Sequence, residues 1–205
     1  MPDTVADHTG GVPLVADMSS TLLSRPLDVS RFGAIYAGAQ KNIGPAGLVL
    51  VIVRRDLLGR ARADTPSVLD WNLNADNDSM YNTPATYSWY IAGLVFAWIK
   101  RQGGLAVIAQ RNRVKAQKLY RAIDSSNFYH CPVVESDRSL MNVTFTLADE
   151  ALDKAFLQGA EAAGMQNLKG HRSVGGMRAS LYNAVPEAAV DALIQYMGSF
   201  ETEHG

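Results

Sequence analysis

Cysteine is nearly absent: Cys131 is the only one in 205 residues. That excludes an internal disulfide framework and any metal centre built on several thiolates. It suits a reducing compartment, so a cytoplasmic location is expected. Net charge is lacking as well. Nineteen Lys and Arg stand against 20 Asp and Glu, a formal charge of -1. There is no basic excess of the kind that nucleic acid or an anionic membrane selects. No apolar run reaches the roughly 20 residues that cross a bilayer. The opening M-P-D-T-V-A-D-H-T-G-G has neither the basic start nor the apolar stretch of a secretory signal. Neither nucleic acid nor a membrane is therefore expected as a partner. Internal repeats and low-complexity tracts are missing too. What remains, 47% hydrophobic and 19% charged residues, is enough to bury a sizeable core.

The apolar pattern changes along the chain. Val12–Ala16, ending at Asp17, and Phe32–Ala37 read as short buried strands. Leu48–Val53, L-V-L-V-I-V, is apolar on both faces and reads as a central strand of a covered sheet. One helical turn is expected over 56–60, and an irregular connection over 63–83. Apolar residues then recur at helical spacing from Pro84 to Gly103, followed by a more charged helix over 105–123. Beyond Ser125 the order becomes strand (141–147), helix (149–163), strand (176–182), helix (186–200). An α/β part over residues 1–103 is thus expected to precede a small C-terminal α+β domain over 104–205. Trp89, Phe96 and Trp98, at helical spacing, are expected in a core. His8, His130 and His204 lack partners at metal-ligand spacing and read as structural or surface residues, and Cys131 has no nucleophile context.

One lysine stands out, in A-G-A-Q-K-N-I-G-P-A-G. A lone lysine in a turn is ordinarily a solvated charge. Lys41, however, follows one predicted strand while Asp17 ends another, and strand ends of α/β sheets are where ligands bind. A lysine shielded among apolar strands can form an imine with an aldehyde. Pyridoxal phosphate needs such a lysine, a carboxylate against its pyridine nitrogen, and neutral donors for its phosphate. Asp17, Lys41, Asn82 and Thr83 can fill these roles. A second cluster, Lys169, His171, Arg172 and Arg178, could be a solvated basic loop. Two arginines at fixed places also match carboxylate and phosphate forks.

D-M-S-S-T-L-L-S-R-P-L-D-V-S-R, A-G-A-Q-K-N-I-G-P-A-G, Y-N-T-P-A-T and K-G-H-R-S-V-G-G-M-R-A-S-L-Y-N-A together resemble the phosphoserine aminotransferases. These are class-V, fold-type-I pyridoxal-phosphate enzymes of serine biosynthesis. The resemblance runs from Val15 to the C-terminus. It implies part of a fold-type-I large domain, a mixed and mostly parallel sheet with helices, followed by the small domain. It implies transamination between O-phospho-L-serine or 3-phosphohydroxypyruvate and glutamate or 2-oxoglutarate, and admits a second activity in pyridoxine biosynthesis. By resemblance Lys41 bonds the cofactor, Asp17 pairs with its pyridine nitrogen, and Gln40 contacts its phosphate. Asn82 and Thr83 would reach the phosphate in the neighbouring subunit, which implies a homodimer with a shared site. Arg178 would hold the α-carboxylate, and His171 with Arg172 the distal anionic group.

The sequence departs from the family in one respect. The N-terminal part of the family's large domain, with its ring-stacking aromatic and further phosphate and substrate residues, has no counterpart before Asp17. A shortened chain that binds cofactor weakly on its own is therefore expected. Two alternatives stay open: a non-catalytic remnant acting through association with a partner chain, and another fold-type-I aminotransferase with a different substrate.

Overall fold

A computed structural model describes residues 9–172 and 174–205; His8 lies outside them. The chain divides after Leu105 into two compact units.

The first unit is built on a three-stranded sheet in the order β1 (Val15–Asp17), β2 (Ala34–Gly38), β3 (Val49–Val53). β1 and β2 run parallel, with Asp17 opposite Tyr36. β2 and β3 are antiparallel, with Gly38 opposite Val49. Alternation along the strands divides the side chains between two faces. Ala16, Ile35 and Ala37 are buried on one face, and join Met18, Leu22, Phe32, Ile43 and Ala92 in the core of this unit. On the other face Val15, Tyr36, Val49 and Val51 are exposed, Val49 at 61%. The expected central strand is therefore an edge strand of this sheet, open on one face.

The connection over 63–83 is less irregular than its polar composition suggests. It carries a short helix, α1 (Trp71–Asp76), because the Asp70 carboxylate accepts from the backbone N–H groups of Asn72 and Leu73. α2 (Thr86–Arg101) follows. Its buried residues are Ser88, Ala92 and Ile99, and the small Ala92 lets the turn at Gly44 approach closely. The aromatics expected in a core are not all there: Trp89 and Phe96 are exposed, as are Tyr87 and Tyr90. Helical spacing marked the helix correctly but not which of its faces this unit covers.

The second unit opens with α3 (Gly104–Asp124), which buries Ile108, Asn112, Lys115, Leu119 and Ile123 at three- and four-residue spacing. A three-stranded antiparallel sheet follows, β4 (Tyr129–His130), β5 (Asn142–Leu147), β6 (Met177–Ser180), in that order. β4 is too short to leave a periodic signal and was not expected. β5 alternates strictly between buried and half-buried residues. α4 (Asp153–Ala162) and α5 (Glu187–His204) complete the unit. Phe156 meets Phe145, Tyr196 and Phe200 at centroid distances of 6.0, 5.1 and 5.1 Å, edge to face. Cys131 is buried and free, and His204 stacks on Phe200. No single helix among the described residues is long and apolar enough to cross a membrane.

Candidate active site

The sequence-predicted residues fall into two groups, one in each unit. The first group grows from the β1–β2 pair. Because these strands are parallel, their C-terminal ends lie at the same sheet edge. Asp17 ends β1. β2 ends at Gly38, and the turn that follows carries Gln40 and Lys41.

That turn is tightly fixed. Ala39 donates its N–H to Leu48 O at 2.9 Å, and its own carbonyl accepts from Ile43 N (3.2 Å) and Gly44 N (2.8 Å). The Asn42 side chain is buried and donates to Ser20 O (3.3 Å) and Leu22 O (3.2 Å). It ties the Lys41 turn to the segment that follows Asp17. A Cβ at Gly38 would lie 2.6 Å from Gln40 Oε1; the absence of a side chain there leaves the space that Gln40 folds back into. Lys41 itself is exposed rather than shielded by the strands.

The Asp17 carboxylate accepts twice through Oδ1, from Ser19 N–H (2.8 Å) and Ser19 Oγ (2.6 Å). Those two hydrogen bonds hold its pKa below the ordinary aspartate value, and the positive charge of Lys41 adds to the effect against the cost of burial. Oδ2 accepts no hydrogen bond among the described residues. Asn82 and Thr83 are exposed just ahead of α2, where Asn82 Nδ2 donates to Thr83 O at 3.1 Å. No hydrogen bond among the described residues links them to Asp17 or Lys41.

The second group lies on the turn that enters β6. Lys169 bridges Met177. Gly170 N–H donates to Gly176 O at 2.8 Å, and the His171 carbonyl accepts from Val174 N (2.9 Å) and Gly175 N (2.8 Å). Gly175 and Gly176 have φ of 78° and 58°, values that favour glycine. The turn presents His171 and Arg172 on its exposed surface. Arg178 sits on β6 opposite Thr144 and donates its N–H to Leu168 O at 2.7 Å. Its Nε is buried and makes no hydrogen bond among the described residues. A buried donor in that state is costly unless a ligand supplies the acceptor.

Sequence reasoning missed Ser19 and Asn42. The signal for Ser19 was present as D-x-S, a spacing at which an aspartate accepts from the residue two positions on. Asn42 left no signal beyond its place next to Lys41. Among the described residues no group of three or more His, Cys, Asp or Glu could hold a metal ion. An open depression of about 270 Å³, lined among others by Leu57, Arg60, Leu69 and Trp71, contains none of the predicted site residues.

An aspartate and a lysine at one edge of a mixed α/β sheet, with a cationic turn in the following unit, define a class. The chain belongs to the class-V aminotransferase family, whose model matches residues 4–193, and its α/β fold is that of the fold-type-I pyridoxal-phosphate transferases. Within that family it is similar to the phosphoserine aminotransferases. It is 68% identical over 198 residues to the phosphoserine aminotransferase of Pseudomonas aeruginosa, covering 97% of this chain and 55% of that protein. The phosphoserine aminotransferase structure from Bacillus circulans subsp. alkalophilus superposes with a TM-score of 0.92 at 49% identity, covering 96% of this chain and 55% of that one. A pyridoxal-phosphate-bound phosphoserine aminotransferase from Trichomonas vaginalis gives 0.86 at 43% identity, covering 91% and 53%. The chain thus spans about half the length of the relatives it matches.

Proposed function

We propose that the chain carries one part of a phosphoserine aminotransferase. The reaction is transamination between O-phospho-L-serine or 3-phosphohydroxypyruvate and glutamate or 2-oxoglutarate, in serine biosynthesis. The resemblance also admits a second activity, on a phosphorylated intermediate of pyridoxine biosynthesis. The observation that carries the proposal is the placement of Asp17 and Lys41 at the same edge of the parallel β1–β2 pair. In this reading residues 1–103 belong to the cofactor-holding large domain and 104–205 form the small domain, in a cytoplasmic enzyme.

The residues present fit pyridoxal phosphate. A carboxylate held ionised, with one oxygen unoccupied, suits a protonated pyridine nitrogen. Lys41 is exposed on the adjoining turn. When bound, the cofactor supplies an electron sink for the carbanion formed at the substrate α-carbon. Asp17 keeps the ring nitrogen protonated. Lys41 would hold the cofactor at its aldehyde and would carry the substrate α-proton as a general base. Gln40 holds the phosphate within one subunit, and Asn82 with Thr83 holds that of the second subunit of a homodimer. Arg178, whose Nε lacks an acceptor, takes the substrate α-carboxylate. His171 and Arg172 take the distal phosphate or γ-carboxylate, so one cationic pocket serves both dianionic substrates in turn.

The test is spectroscopic. Pyridoxal phosphate added to this chain together with the remaining portion of a family member's chain produces the visible imine band, and Lys41→Ala abolishes it. A band that survives the substitution defeats the assignment of Lys41. Arg172→Leu weakens phosphoserine binding more than alanine binding; equal effects would point to a different substrate.

A further inference from the structure

Ser19 is absent from every role assigned above, yet it makes three hydrogen bonds in the first group. Its N–H and Oγ–H both donate to Asp17 Oδ1, at 2.8 and 2.6 Å. Its Oγ also accepts from Gly38 N–H, at 3.0 Å and across 19 residues of sequence. Gly38 ends β2, two residues before Gln40 and three before Lys41. One hydroxyl therefore connects the carboxylate at the end of β1 to the backbone that leads into the lysine turn.

The chain contains its own control. Asp28 and Ser30 repeat the same D-x-S arrangement: Ser30 N and Oγ donate to Asp28 Oδ1 at 3.0 and 2.6 Å. There the aspartate caps a single 3₁₀ turn, Val29–Arg31, and among the described residues the serine hydroxyl bridges to no strand. The local motif is thus a common turn device. The bridge to Gly38 is what differs at Asp17.

The bridge has two physical consequences. A hydroxyl that accepts from Gly38 N–H has its proton directed toward Asp17, so its donation is fixed rather than free to rotate to solvent. And with both Ser19 donors on Oδ1, the rotation of the carboxylate is set and Oδ2 is left as the outward acceptor. We infer that Ser19 is a positioning residue for the cofactor site: it orients Asp17 and ties it to the backbone that leads into the Lys41 turn. This rests on the role of Asp17 proposed above. The same hydrogen bonds are the main cause of the low pKa of Asp17.

The experiment is a carboxyl ¹³C-NMR titration of the full chain, as wild type, Ser19→Ala and Ser19→Thr, with Asp28 as internal reference. Ser19→Ala raises the Asp17 midpoint toward the ordinary aspartate value, while Asp28 stays low and reports an intact unit. Ser19→Thr, which keeps the hydroxyl, restores the Asp17 midpoint. An Asp17 midpoint unchanged in Ser19→Ala, or raised equally in Ser19→Thr, overturns the inference. A titration with pyridoxal phosphate, run with the same added portion of a family member's chain as the Lys41 test and followed by absorbance across pH, separates the two claims. If Asp17→Asn binds as wild type does, the role of Asp17 is wrong, and the NMR result still decides whether Ser19 controls its ionisation. If Asp17→Asn loses binding while Ser19→Ala keeps both wild-type binding and its pH profile, Ser19 does not position the site.

Discussion

Lys115 Nζ donates to the carbonyl oxygen of Tyr182 at 2.9 Å, and also to those of Leu181 and Val185, each at 3.0 Å. The lysine is 3% exposed and has no carboxylate partner in these contacts. It closes the turn that follows β6, the strand bearing Arg178. Three carbonyls match the three N–H groups of an ammonium, while burial pushes the Lys115 pKa down to about 8. The unfolded chain binds this proton up to its ordinary value of 10.5, so it carries more protons than the folded state in between. Stability therefore rises with pH from about 8, by about 2 kcal/mol by pH 10. Above pH 10 it falls again, because burial raises Tyr120 to about 12 and Tyr129 higher still. Chemical denaturation across this range checks the curve. Lys115→Met flattens the rise between pH 8 and 10 and, by leaving three carbonyls without a donor, lowers stability at neutral pH by about 1–3 kcal/mol.

Gly170 is predicted not to tolerate a side chain. A Cβ there would collide with Gly175 O and come within 2.7 Å of Gly176 O. Both are backbone atoms and cannot swing aside. Gly170→Ala opens the turn that carries His171 and Arg172, costs about 2–3 kcal/mol, and lowers the thermal midpoint. Loss of amide protection at Gly170 and Gly175 in hydrogen exchange localises the damage. An unchanged midpoint would show that the turn relaxes without cost.

The open face of the first sheet predicts how the chain behaves by itself. Val15, Tyr36, Val49 and Val51 form one exposed apolar surface, and among the described residues β1 and β3 each have an unpaired edge. Such a surface associates with whatever covers it. Alone, the chain is expected to self-associate and to show little imine absorbance with pyridoxal phosphate. Val49→Lys reduces the self-association seen by light scattering. A strong band from the monomeric chain would show that the face needs no cover.

Acid sensitivity is expected from one ion pair. Asp124 accepts from both Arg138 terminal nitrogens, at 2.6 and 2.8 Å, and the guanidinium lies 4.7 Å from the Tyr120 ring centroid. The bidentate contact holds the Asp124 pKa below its ordinary value. The pair contributes above the ordinary aspartate range, and its contribution is lost as pH falls through the lower, folded value. A double-mutant cycle with Asp124→Asn and Arg138→Gln measures a coupling of about 0.5–1 kcal/mol at pH 7, vanishing in strong acid.

The sequence carried much of this. Asp17, Lys41 and the K-G-H-R…R turn are local patterns with chemistry attached to their residue types, and the alternation in Asn142–Leu147 or the spacing in α3 follows from period alone. Three elements were not legible that way. β4 has two residues and no period. α1 is held by the Asp70 cap more than by an apolar face. The aromatics of α2 obey helical spacing, yet spacing does not say which face a given unit covers, and Trp89 and Phe96 stay exposed.

By itself, then, the sequence determined the chemistry available: which carboxylate, which lysine and which arginines. The tertiary structure decided how they are held. Only the parallel pairing of β1 with β2 puts Asp17 and the Lys41 turn at one sheet edge. Only the fold brings Ser19 Oγ to Gly38 N–H and Asn42 to the Leu22 carbonyl, contacts across about 20 residues. Hydrogen bonds between distant segments depend on chain geometry that no local pattern encodes, and they are what hold the segments carrying Asp17 and Lys41 in place.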